Sequence, residues 1–368
     1  MSQVFFLPTR VFSGTDCLKT HADTLATLGT KALIVTGKNS AKTTGAGPDV
    51  EAALASQGIP FVLYDGIPPN PGFKEVREAA ALARSEGVDF IVGIGGGSPL
   101  DAAKAIAILA VNDLDDEAIF LPPFPRQPLP LAAVPTTAGT GSEVTPYSIL
   151  TNDKLQSKSN ISHESLFPRL AFLDARYTRG LPRTVTVNTA LDALSHLVEG
   201  YLAVRATPLS QSFALQGLAL LGPALKALAA EPGLPSPGLR ETLLLASTTA
   251  GMVIAHTGTT AVHALGYSLT YFRNVDHGRA NALTLAEYLA FLRPTQAPLV
   301  DQVLAALQVS GVEGFRALLD TLLGPKESLT NAEIEKFSAI AVKARNMANT
   351  LVVPTQADLA GLYRRSLG

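Results

Sequence analysis

A carboxylate and an imidazole stand four residues apart in TALDALSHLVEGYLA, as Asp192 and His196, in a run otherwise dominated by Leu, Ala and Val. On a helix this spacing puts both side chains on one face, where they can grip a single cation. The pair alone also fits a polar stripe or a satisfied core histidine. Further along, HALGYSLTYFRNVDHG supplies His263 and His277. One aspartate and three histidines would close a divalent site. Imidazole nitrogens suit iron, zinc, copper or nickel, and the carboxylate adds charge and an oxygen donor. His256 lies two helical turns before His263, and spacing leaves open whether it joins this group or is structural.

A second kind of chemistry is written in IVGIGGGSPLDAAKAIA. Gly95, Gly96 and Gly97 let backbone approach a ligand closely, while Ser98 and the free amides of a following helix offer donors to an anion. Pro99 suits a first helical turn, where its missing amide hydrogen is no loss. The pattern is neither GxGxxG nor the Walker sequence, and alone it also fits a tight strand-to-helix turn. VPTTAGTGSEVTPYS adds hydroxyls at Thr136, Thr137, Thr140, Ser142 and Thr145. Two strand ends rich in small donors make a cradle for a dinucleotide.

These groups need elements to hold them. KALIVTG (31–37), PFVLYDG (60–66), DFIVGIGGG (89–97), LAAVPTT (131–137) and LAFLDA (170–175) read as buried strands, with helical spacing at 50–58, 73–87 and 100–111. Strand, helix, strand in repetition predicts a parallel sheet covered on both faces, with ligands at the carboxyl ends of its strands. After Leu181-Pro182 the pattern becomes successive helices, punctuated at PGLPSPG (232–238) and LRPT (292–295). We therefore expect an α/β dinucleotide-binding domain at 1–180, an all-helical metal and substrate domain at 181–368, and a cleft between them.

Composition narrows the classes. Of 368 residues 47% are apolar and 16% charged, which predicts a folded globular chain, and the formal charge of −2 gives no reason to expect nucleic acid or an acidic membrane as partner. Cys17 is the lone cysteine, so there is no internal disulfide and a reducing cytoplasm fits. The start, MSQVFFLPTRVF, shows no basic stretch leading into a long apolar core, so no targeting segment is expected. From Thr242 to Phe272 there is no Asp, Glu, Lys or Arg. Its histidines, threonines and glycines read as a buried helical hairpin rather than a membrane span.

Together, GGGSPLDAAK, PTTAGTGSEVT, LDALSHLVEGY and the His263 and DHGRANA pair resemble the iron-containing (group III) alcohol dehydrogenase family, over nearly the whole chain. The resemblance implies a Rossmann-like parallel-sheet domain followed by a helical metal domain. It makes Asp192, His196, His263 and His277 ligands of Fe2+ or Zn2+. It makes Gly96, Gly97, Ser98 and Asp101 the pyrophosphate and ribose contacts, with Asn70, Thr136, Thr137, Thr140, Thr145 and Lys158 along the rest of the cofactor path. The implied reaction is hydride transfer between a nicotinamide cofactor and a small to medium aldehyde or alcohol, with the metal polarising the C–O bond. A cytoplasmic homodimer, dimerising through the FFLPTRVF region, is implied as well.

Two departures bear on specificity. The family usually carries a second histidine four residues after the one at His263, and here that position is Tyr267. A phenol titrates near ~10 against ~6.5 for imidazole, so it relays protons poorly at neutral pH; a water-mediated relay or a shifted substrate range is expected. Members that prefer NAD commonly have an acidic residue after the first strand, whereas here Gly37 is followed by Lys38, Ser40 and Lys42. Lysine and hydroxyl groups can meet a 2′-phosphate, so NADP(H) is expected to be preferred, with NAD(H) possible. Competing readings are a glycerol dehydrogenase-like or dehydroquinate synthase-like enzyme on the same plan, and a non-catalytic nucleotide-binding protein. The second would need a basic cluster, and near His277 only Arg273 and Arg279 are at hand.

Overall fold

Residues Ala32–Thr36 form a strand, β2, in which all five residues are buried. Leu33 and Val35 enter one apolar cluster while Ala32 and Ile34 enter another, so the strand is covered on both faces. The computed structural model describes residues 4–368 and divides into two units. One comprises Leu7–Thr137 and Gly141–Leu181; the other comprises the N-terminal residues through Phe6, Ala138–Thr140 and Pro182–Gly368.

The first unit carries β1 (Arg10–Ser13), α1 (Cys17–Thr20), β2, α2 (Ser40–Thr44), α3 (Ala46–Ser56), β3 (Phe61–Tyr64), α4 (Phe73–Glu86), β4 (Phe90–Gly95), α5 (Gly97–Leu109), β5 (Leu131–Pro135), β6 (Tyr147–Asn152), β7 (Ser157–Ser162) and β8 (Leu170–Leu173). Six strands form one sheet in the order β1-β8-β5-β4-β2-β3, every pair parallel. β6 and β7 make a separate antiparallel hairpin. The order sets β5, β4 and β2 side by side, so the loops after Pro135, Gly95 and Thr36 open at neighbouring strand tips. This is the Rossmann-like α/β sheet expected from the strand and helix alternation. One detail differs: the 60–66 strand lies at the sheet edge, with Phe61 and Leu63 exposed on one face while Val62 and Tyr64 pack inward on the other.

The second unit is helical: α6 (Arg183–Tyr201), α7 (Pro208–Ala230), α8 (Pro237–Thr257), α9 (Ala261–Arg273), α10 (His277–Ala306), α11 (Gly311–Leu323), α12 (Asn331–Ala341) and α13 (Gln356–Leu367). Thr207, Ser236, Thr330 and Thr355 cap their helices by accepting from amides of the first turn. The charge-free run becomes the α8–α9 pair, turning at Gly258 with φ 67°. By length and hydropathy α7 is the one helix among the described residues apolar enough to cross a bilayer. Its Ala214, Leu218, Leu221 and Leu225 are buried within this unit. LRPT interrupts the helix as expected: α10 is two helical segments that meet at a kink at Gln296, whose φ is −125°, between Pro294 and Pro298. Proline removes a helical hydrogen bond and kinks the axis.

Candidate metal centre and nucleotide loops

Three helices of the second unit build the metal candidate. Along α6, Asp192, His196 and Glu199 follow at intervals of four and three, so they share one face, and all are buried. The Asp192 carboxylate, His196 and His263 bring one donor atom each to within 4.8 Å of one another. His196 Nε2 and His263 Nε2 face each other at 3.1 Å, and Asp192 Oδ1 lies 3.8 Å from the first and 4.0 Å from the second. His277, opening α10, adds its Nε2 at 3.8 Å from the same Asp192 oxygen, on the more exposed side of the group.

Backing groups orient the imidazoles. His263 Nδ1–H donates to Glu199 in a very short bond, which fixes the tautomer and turns a lone pair on Nε2 toward Asp192 and His196. Glu199 also accepts from the backbone amide and hydroxyl of Thr260, both at 2.8 Å, so it satisfies the start of α9 as well. Burial works against its charge, but the bonds from His263 and Thr260 outweigh this and hold it below the usual carboxylate range. Burial lowers the pKa of His196, and neighbouring His263 adds to the effect. One carboxylate and three imidazoles converging in a largely buried site fit a divalent transition ion.

Close backbone approach makes this possible. A Cβ at Gly278 would come within 1.9 Å of the Asn188 carbonyl oxygen, so only glycine lets α10 lie against α6 directly after His277. Asn188 also donates to Asp276 at 2.6 Å, tying down the residue before His277. Tyr267 stacks on His277 at 5.6 Å between ring centroids and meets His263 edge-on at 6.1 Å. His256, left open by its spacing, turns elsewhere: it stacks on Phe5 at 3.9 Å, and its Nε2 accepts from the Phe6 amide at 3.0 Å.

The first unit holds the nucleotide candidates at the tips of β4, β5 and β2. Gly95 has φ +148°, and a Cβ there would lie 2.6 Å from Pro99. Gly96 is extended, and a Cβ on it would press on Thr137 at 3.0 Å. Gly97 and Ser98 then open α5 with free amides. The Ser98 hydroxyl accepts from the Asn70 amide at 3.1 Å, which joins the α5 start to the loop after β3. Thr136 is buried, its amide bonded to Gly95 at 2.9 Å. The loop after β5 is divided: Thr136 and Thr137 group with the sheet, while Thr140 groups with the helical unit.

Asp101 and Lys104 form a buried clasp behind this loop. Lys104 Nζ donates to Ser142 Oγ at 2.7 Å, Thr145 Oγ1 at 3.2 Å and the Tyr147 carbonyl at 2.7 Å. Ser142 in turn donates to Asp101 at 2.6 Å, and the Ile149 amide donates to its other oxygen at 3.1 Å. Burial pushes the Lys104 ammonium down to about 8 and the Asp101 carboxyl up, against their mutual attraction and the Ser142 bond. Lys158, on β7, contributes positive charge toward Asp101. Both Asp101 oxygens are thus taken by the protein. At the tip of β2, a cavity of about 250 Å³ is lined by Gly37, Lys38, Lys42, Glu51 and Asp65. Lys42 pairs with Asp65 at 3.4 Å, and Ser40 sits 3.4 Å from the Thr36 hydroxyl.

Known proteins share this fold. Residues 8–175 match the iron-containing alcohol dehydrogenase family, and residues 186–367 match the C-terminal part of the Fe-containing alcohol dehydrogenase family. The chain belongs to this family of oxidoreductases, which act as alcohol dehydrogenases and aldehyde reductases. It is 39% identical over 243 residues to a probable alcohol dehydrogenase, EutG, of Salmonella typhimurium, a match spanning 66% of this chain and 61% of that protein's length. An iron-containing alcohol dehydrogenase from Thermotoga maritima superposes with a TM-score of 0.92 at 37% identity, over 100% of both chains. A sulfoacetaldehyde reductase from Bifidobacterium kashiwanohense, solved with NAD+, superposes with a TM-score of 0.89 at 28% identity, over 100% of this chain and 99% of that one.

Proposed function

We propose that this chain is a metal-dependent aldehyde reductase and alcohol dehydrogenase that prefers NADPH and acts on small to medium carbonyl compounds. The observation that carries the reading is the convergence of Asp192, His196 and His263 donor atoms within 4.8 Å in a buried site. Asp192, His196, His263 and His277 would hold Fe2+ or Zn2+. When bound, the ion supplies polarisation of a C–O bond and the nicotinamide supplies or accepts hydride. Glu199 holds His263 in the ligating tautomer, and Tyr267 stacks on the His277 ring. Gly96, Gly97 and Ser98 offer the pyrophosphate an open backbone and helix amides. Asn70, Thr136, Thr137 and Thr145 would line the path beyond, with Asp101, Lys104 and Lys158 holding the loop that presents Thr145.

The NADPH preference rests on Gly37, Ser40 and Lys42 at the β2 tip, with Lys38 beside them in the cavity wall. Lys38 and Lys42 offer donors to a 2′-phosphate, with Glu51 and Asp65 lining the same cavity and balancing their charge. The dehydroquinate synthase-like alternative loses ground here. Arg273 is spent on Glu333 and Arg279 on Glu327, so neither is spare for an acidic substrate. Lone, buried Cys17 suits a cytoplasmic setting, and the homodimer belongs to this same reading by family resemblance.

The test is a panel of aldehydes, assayed with NADPH and with NADH after loading with iron or with zinc. Carbonyl-dependent oxidation, with higher kcat/KM for NADPH, is expected. Metal-loaded protein that binds NADPH yet reduces nothing would leave the non-catalytic nucleotide-binding reading in its place.

A further inference from the structure

Asn281 is fully buried on α10, one turn beyond His277. Its Nδ2 lies 3.1 Å from Asp192 Oδ1, 3.2 Å from His263 Nε2 and 3.4 Å from His277 Nε2. One amide group therefore touches three of the four candidate ligand atoms, contributed by three different helices. Its other end points away from them, over Gly266, where a Cβ would come within 2.0 Å of Oδ1. Gly266 sits on α9, three residues after His263. The side chain is thus wedged between the helices that carry the imidazoles.

We propose that Asn281 is a positioning residue that sets the affinity of this cage for its cation by clamping Asp192. The inference rests on the metal reading given above. An amide nitrogen only donates, so it competes with a cation for imidazole lone pairs. Once His263 and His277 give those lone pairs to a metal, Asp192 Oδ1 is the acceptor that remains, because a carboxylate oxygen has a further lone pair to offer. The Asn281 bond to Asp192 is already in place without the ion, holding the carboxylate in its ligating rotamer, and it is the one that persists once the ion binds. Outer partners of this kind change metal affinity by roughly 10- to 100-fold when removed. Gly266 is part of the device, since any side chain there would push the amide off its line to Asp192.

The experiment measures Zn2+ affinity by chelator competition in the full chain, for wild type, Asn281→Ala, Asn281→Ser and Gly266→Ala. Thermal unfolding with and without saturating Zn2+ accompanies it. The expectation is a 10- to 100-fold weaker Zn2+ affinity in each variant and a smaller Zn2+-induced rise in Tm. The serine variant serves if the alanine variant does not fold. An unchanged affinity in folded variants overturns the proposal. So does a lower Tm of the metal-free protein with an undiminished Zn2+-induced rise, which would mark a purely structural residue. If wild type itself takes up neither zinc nor iron, the metal reading fails first; if wild type binds and the variants bind equally, only the role of Asn281 falls.

Discussion

The two candidate sites are built on opposite principles. In the helical unit, Asp192, His196, Glu199 and His263 are all 5% exposed or less, and side chains from three helices lock one another. At the strand tips of the other unit, contacts come from glycine backbone, helix amides and hydroxyls, and the Lys42–Asp65 pair is 67% and 44% exposed. A cage of imidazoles and one carboxylate works when buried, since water would compete for every lone pair. Loops that receive a large polyanion instead need approach room and donors that water keeps solvated until the ligand comes. Changes at the cage should therefore be steep and changes at the tips shallow.

The steepest is Asp192→Ala. It removes the sole ligand carboxylate and leaves the imidazoles with less reason to attract a cation. We expect loss of stoichiometric bound metal by elemental analysis and a fall in kcat/KM on the order of 10³-fold, since metal polarisation is worth several kcal/mol. Activity retained within tenfold would break the contrast between the sites. Next is Glu199→Gln, which keeps shape but loses charge. Carboxamide holds His263 Nδ1–H less firmly, so metal affinity should drop roughly 10- to 100-fold while NADPH binding, followed by fluorescence, stays put.

What could be read from the sequence follows the same division. Asp192 and His196 betrayed themselves by an i, i+4 polar pair in an apolar run, and Glu199 carried the same signal three residues on, unread because a lone glutamate passes for surface. Gly278, Gly266 and Asn281 were invisible: their roles depend on how closely α10 lies to α6 and α9, which no local pattern encodes. The sheet was legible through its buried strands. The β6–β7 hairpin was not, because TNDKLQSKSN is polar on both faces and carries no hydrophobic alternation. Gly37 and Lys42 were visible in sequence as a tip without an acidic residue, but Asp65 reaches the same cavity from the neighbouring strand.

Lys104 sits between the extremes, a fully buried ammonium serving an open loop. Lys104→Met should raise KM for NADPH about tenfold with kcat nearly kept, because Ser142 and Thr145 lose the donor that positions them; a net hydrogen-bond loss of about 1.4 kcal/mol corresponds to that factor. Its titration gives a second readout. The folded pKa of about 8 lies below the ordinary lysine value of 10.5, so between these the unfolded chain binds more protons and stability rises with pH. Below about 8 both states are protonated and the cost of the buried charge is paid in full. The wild-type curve of urea stability should therefore climb relative to that of Lys104→Met from about pH 8 upward. Parallel curves would show that the ammonium is not held as the structure has it.

The shallowest change tests the tips themselves. Lys42→Ala removes one of two lysines lining the β2 cavity, and Asp65→Asn removes the carboxylate that competes for it. With so much of the pair exposed, solvent and salt screen the charge, and its worth to a 2′-phosphate is about 1 kcal/mol. The ratio of kcat/KM for NADPH over NADH should fall about fivefold in Lys42→Ala and rise by a similar factor in Asp65→Asn. Both shifts should shrink as ionic strength increases, because exposed charges act through a screened field. Opposite signs in the two variants would identify Lys42 and Asp65 as a balance that sets cofactor choice. A change of the same sign in both would instead mean that the pair acts as a strut for the loop, and that selection between NADPH and NADH is made elsewhere.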